Sequence, residues 1–95
     1  MKVGVCTLEL RISYAHSLKE KRSIVKKVSS KIQQKFNVSI SEVDTQDLWQ
    51  TATLGIAMAG NNGPFLEGAL ETLINYIESI FDGEIRVLYT EIIAV

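Results

Sequence analysis

The stretch VGVCTLELRISYAHSLKEKRSIVKKVSSKIQQKF, Val3 to Phe36, changes its hydrophobic period part-way along, and that change decides the fold. From Val3 to Ile12 the side chains alternate. Gly4, Cys6, Leu8, Leu10 and Ile12 share one face, and Val3, Val5, Thr7, Glu9 and Arg11 share the other. A period of two over this length is a strand with its more apolar face inward. SYAHS then reads as a loop, and Ser17 with Glu20 three residues on has the spacing of a capping box, so a helix starts there. On a helical wheel Leu18, Ile24, Val25, Val28, Ile32 and Phe36 fall in one arc, while Lys19, Arg22, Lys26, Ser30 and Gln33 lie opposite or to one side. Lys27 and Lys31 form a second flank, and Lys35 sits where a cation complements the helix dipole. The exception is Lys21, whose phase places it inside the apolar arc beside Val25 and Val28.

Outward from this strand and helix, NVSISEVD reads as a second strand with Val38 and Ile40 on one face; Glu42 followed by Val43 breaks the alternation and is read as a bulge. TQDLWQ is a turn, and TATLGIAMAG a third strand with Ala52, Leu54, Ile56 and Met58 on its inner face. NNGP presents Pro64 at the first turn of a second helix. That helix carries Leu66, Leu70, Leu73, Ile74, Ile77 and Phe81 on one face and Glu67, Glu71 and Glu78 on the other. Asp82 and Gly83 stop it, and EIRVLYTEIIAV is a last strand with apolar residues on both faces. The order strand, helix, strand, strand, helix, strand is the ferredoxin-like βαββαβ pattern of the α+β class. Right-handed crossovers then give a four-stranded antiparallel sheet, order 4-1-3-2, with both helices on one face and the other face open.

The chain has 95 residues, 46% of them apolar and 22% charged, with a single Pro; residues 1–95 are read as one ferredoxin-like domain. A domain of this size has room for one core layer and none for an enclosed substrate cavity with a lid. Apolar runs are broken by Lys, Glu or Asn well short of the roughly 20 residues a membrane span needs, so the protein is read as cytosolic, without a membrane partner. The one cysteine, Cys6, lies in the first alternation and reads as a small buried hydrophobe. The net charge of −1 conceals a segregation: residues 19–35 hold seven of the ten basic residues and one of the eleven acids, +6 locally against −7 elsewhere.

In the expected topology the ends of the first two strands, the turn between strands two and three, and the start of the first helix meet. His16, Lys19, Lys21 and Arg22 therefore come close to Asp44, Gln46, Asp47 and Trp49. A cation on the inner side of a helix start needs an acid, and Asp44 or Asp47 is the expected partner of Lys21. Such a clamp would brace the turn and set the position of Trp49, read either as a cover over the edge of the core or as a side chain facing a partner.

The segments Ser17 to Arg22, Phe36 to Val43 and Gln46 to Gln50 together make the sequence similar to the YlxP-like family, small bacterial proteins of unknown function. The resemblance covers the whole chain; family members often carry Gly where this chain has His16. It implies a ferredoxin-like domain, and a gene that in many bacteria lies beside those of translation-initiation and ribosome-maturation factors. No enzyme activity is implied.

Catalysis has little support in the residues. His16 is the only histidine, no His, Cys and acid spacing suggests a metal site, and no cofactor is expected. The glycine-rich anion loop and Arg of acylphosphatases, which share the fold, are absent from SYAHS. Two readings of the basic helix stay open: Lys19, Arg22, Lys26 and Lys27 contact phosphate, or they form an ordinary solvated face. The outer positions of strands one and three lack aromatics, which argues against base stacking on the sheet and favours contact with the backbone of a structured RNA. The expected partner is then ribosomal RNA or a ribosome-associated factor. The alternative is a protein-interaction module whose open sheet face meets a second copy or another protein.

Overall fold

The computed structural model describes residues 1–95 and contains β1 (Lys2–Arg11), α1 (Leu18–Lys35), β2 (Ser39–Glu42), β3 (Thr51–Gly60), α2 (Gly63–Ile80) and β4 (Glu84–Ala94). The strands form one antiparallel sheet in the order β2-β3-β1-β4, which is the expected order read from the other edge. No helix is long and apolar enough to cross a membrane.

The alternation along β1 becomes a row of buried side chains. Cys6, Leu8, Leu10 and Ile12 point into the core, and across the ladder Leu8 faces Leu54 and Cys6 faces Ile56. The helices close over this row with Val25, Val28 and Ile32 from α1 and Leu66, Leu70, Leu73 and Ile77 from α2. Each of these side chains contributes roughly 1.5 to 3 kcal/mol by leaving water, and their contiguity holds the two layers together. Both helix starts are capped: Ser17 Oγ accepts from the Glu20 N–H at 3.0 Å, and Asn62 Oδ1 accepts from the Phe65 N–H at 3.0 Å. Where the helices run side by side, Phe36 and Tyr76 pack at 5.8 Å between ring centroids, and Lys35 Nζ lies 4.3 Å above the Tyr76 ring.

One glycine is dictated by close approach. A Cβ on Gly83 would lie 2.2 Å from the Arg11 carbonyl oxygen, so the turn into β4 can pass the end of β1 only without a side chain.

Two expectations are corrected. The second strand stops at Glu42, and its pairing with β3 runs without a break in register, so Glu42 and Val43 do not mark a bulge. Pleating continues, setting Glu42 opposite Leu54 on the core side and Val43 against Gly55 on the open side. A charged residue on an inward position breaks the apolar pattern without breaking the pleat. The irregularity in the sheet falls instead in β4, where Leu88 is an extra residue opposite the Thr7/Leu8 step of β1.

Candidate functional site

The first turn of α1 is set by its cap. Besides the bond from Glu20 N–H to Ser17, the Glu20 carboxylate accepts from the His16 N–H at 3.2 Å, which anchors the loop entering the helix. Lys21, the next residue, points into the core side of the sheet and is fully buried.

Its ammonium has three protons and meets three acceptors: Glu42 Oε2 at 2.7 Å, the Thr45 carbonyl at 2.7 Å and the Thr51 carbonyl at 3.3 Å. The Lys21–Glu42 ion pair is the only one in the chain, with side-chain exposures of 0% and 14%. Thr45 extends the network. Its hydroxyl donates to Glu42 Oε2 at 3.1 Å and accepts from the Thr53 N–H at 2.7 Å. Gln46 donates to the Glu42 carbonyl at 3.2 Å, and Gln50 donates to the carbonyls of Ser13 and Ala15 at 3.1 and 3.3 Å. No buried side-chain polar atom lacks a partner. The eight residues from Val43 to Gln50 are thus bolted to the start of α1 and to the loop before it.

The expected partners of Lys21 are corrected: neither Asp44 nor Asp47 pairs with it, and both are exposed. Asp44 is the one non-glycine residue with positive φ, 65°, so the chain leaves the pleat there and carries Asp44 out of the strand. Glu42, two residues earlier, is the last acid still on an inward-facing position. Thr45 and Gln50 were also missed as members of the network. Gln50 left a trace in the Gln46 to Gln50 segment, whereas nothing in the sequence marks the carbonyls that Lys21 reaches. Trp49 is 46% exposed and stands outside the core cluster, with Leu48 beside it at 54%.

Along α1, Lys19, Arg22, Lys26 and Lys27 are exposed, and no carboxylate lies within ion-pair distance of any of them. The seam between the helices is mainly apolar, with Phe36 on Tyr76 and with Ile24, Val28 and Ile80 lining one groove, and Asp82, which borders that groove with Lys27, lies beyond ion-pair distance of it. Lys27 lies with half-buried Lys31 along a groove of about 210 Å³ between α1 and the end of α2. Lys19, Arg22 and Lys26 project away from that seam. Burial pushes the Cys6 thiol up to about 11, which keeps it protonated and unreactive.

Residues 3–91 match the model of a family described as "Protein of unknown function (DUF503)". The chain belongs to the DUF503 family. It is also 38% identical over 89 residues to the uncharacterized protein YlxP of Bacillus subtilis (strain 168), an alignment covering 94% of this chain and 97% of that protein. The DUF503 match takes in all of β1 but Lys2, the Lys21 network, α1 and most of β4, so the arrangement described above lies within the family's span.

Proposed function

We propose that this protein is a non-enzymatic module that contacts ribosomal RNA, or an assembling ribosomal particle, through the exposed basic face of α1 and the neighbouring turn that carries Trp49. The observation that carries the reading is four exposed cations, Lys19, Arg22, Lys26 and Lys27, left without a carboxylate partner on a chain whose net charge is −1. Phosphates supply the missing negative charge, and a helix face reads backbone geometry better than sequence. The Lys21 network fixes the turn against the first turn of α1, so Trp49 and Leu48 stand at the same end as Lys19 and Arg22. The genomic setting that the family resemblance implies points in the same direction.

With about four phosphates neutralised, affinity should fall roughly 100-fold between about 50 and 200 mM salt. Binding to purified ribosomal subunits and to their extracted RNA, measured across that range, tests the reading. The triple variant Lys19→Ala, Arg22→Ala, Lys26→Ala should flatten the salt dependence and lose most of the affinity while keeping its circular-dichroism melt. Binding that is absent at low salt, or that is untouched by the triple variant, refutes it.

A second reading, a protein partner on the open sheet face, draws on Tyr89 and Ile93. These stand beside Thr7 and Val3 and are 50% and 41% exposed. Ile93→Asp should abolish such binding and leave RNA binding unchanged.

A further inference from the structure

The two edges of the sheet differ. β2 has four residues and offers little template for another strand, whereas β4 has eleven, contains no Pro or Lys, and leaves Val87, Leu88, Tyr89 and Ile93 substantially exposed. This edge is long and partly apolar; its guards are a bulge and the charges of Glu84, Arg86 and Glu91, so a strand can pair there only if it matches both.

The bulge decides what can pair there. Ile85 and Val87 stand opposite Leu10 and Leu8, and Thr90 and Ile92 opposite Cys6 and Gly4, so all four face the helices. Arg86 stands opposite Glu9 and Glu91 opposite Val5, on the open face. Before Leu88 the odd-numbered residues face inward, and after Tyr89 the even-numbered ones do. In a regular strand, a twofold antiparallel pairing that set residue 86 against residue 91 would join opposite faces. In β4 the extra residue removes that conflict: centred on the bulge, Arg86 meets Glu91, Ile85 meets Ile92 and Val87 meets Thr90, every pair sharing a face. Twofold symmetry repeats each contact. Neither Arg86 nor Glu91 has an ion-pair partner in its own protomer, and Glu91 accepts only the Tyr89 hydroxyl.

We propose that β4 pairs antiparallel with β4 of a second copy of this chain about a twofold axis at the bulge, giving a continuous eight-stranded sheet closed by two Arg86–Glu91 pairs. A single bulge throws an arriving strand out of register, but two identical bulges meeting at the axis keep both flanks aligned. The groove of about 390 Å³ between α2 and β4, floored by Leu70, Ile74, Val87 and Ile92, then continues across the axis into its symmetry mate. Because α1 packs over β2 and β3, the dimer carries its two basic faces at its far ends, and the pairing is independent of any RNA contact.

Analytical ultracentrifugation of the full chain without nucleic acid tests this directly. Wild type should sediment as a dimer. Arg86→Glu and Glu91→Arg, both at exposed positions, should each weaken dimerisation at least tenfold by setting like charges opposite one another. An equimolar mixture of the two variants should recover the dimer, since each supplies the charge that the other lacks. A wild-type monomer at every concentration, a dimer indifferent to both reversals, or a mixture that stays monomeric overturns the proposal; indifference to the reversals would move self-association to the open sheet face.

Discussion

Replacing Lys21 with Met separates a structural clamp from an ordinary surface charge. Methionine keeps most of the buried stem and removes the ammonium, which strands the Glu42 carboxylate together with the Thr45 and Thr51 carbonyls that shared its protons. An exposed ion pair is worth about 0 to 1 kcal/mol, whereas breaking a buried one costs about 3 to 5. With Lys21 fully buried and Glu42 at 14% exposure, the second regime applies, moderated by the access of Glu42 to water. We expect Lys21→Met to lose about 3 kcal/mol in urea unfolding, equivalent to a fall in Tm of roughly 12 to 24 °C for a chain of this size. The double variant Lys21→Met, Glu42→Leu removes both charges and should recover about 2 kcal/mol or more of that loss, since replacing a buried pair by apolar groups is often neutral. A loss below about 1 kcal/mol for the single variant, or a double variant no more stable than the single, would refute the assignment of the pair as buried and mutually dependent.

Three further outcomes follow from the packing. Gly83→Ala should cost about 2 kcal/mol or more in chemical denaturation, because its methyl meets the Arg11 carbonyl at 2.2 Å and backbone must shift. Cys6, at 1% exposure and pushed up to about 11, should react with a thiol reagent at pH 8 at least about 100-fold more slowly in the native protein than in denaturant, since the thiolate is scarce as well as hidden. The raised value means that the native rate, where measurable, should climb with pH past the point at which a free thiol has levelled off. Trp49→Ala should change the melting free energy by less than about 1 kcal/mol, as befits a half-exposed turn residue, and should weaken the proposed binding to ribosomal RNA.

How far the candidate site could be read in advance depended on the kind of interaction. The anomaly at Lys21 was visible because helical phase is a local property: a lysine in the same arc as Val25 and Val28 must be buried wherever the helix packs. Its partner was misread because choosing among Glu42, Asp44 and Asp47 depends on where the strand ends. A single left-handed residue, Asp44, sets that boundary, and an aspartate in a polar turn gives only a weak sign of positive φ. The two carbonyl acceptors had no signature at all, since every residue carries one. In the same way the bulge at Leu88 is invisible within EIRVLYTEIIA, whose apolar residues on both faces permit either register; only pairing with the regular alternation of β1 shows which residue is extra.

By itself, the sequence determined the six elements, their order, the sheet topology, the inward faces of β1, β3 and both helices, and the segregation of basic charge onto α1. Those properties follow from period and composition, which short-range geometry converts into faces. Tertiary structure decided the ion-pair partner of Lys21, the exposure of Trp49, the lack of any ion pair on the basic face, and the parity switch in β4 that brings Arg86 and Glu91 onto one side of the sheet. Each of these is a relation between residues distant along the chain, set by the register in which strands pair and the angle at which helices cover them, and neither register nor angle is encoded in a local pattern.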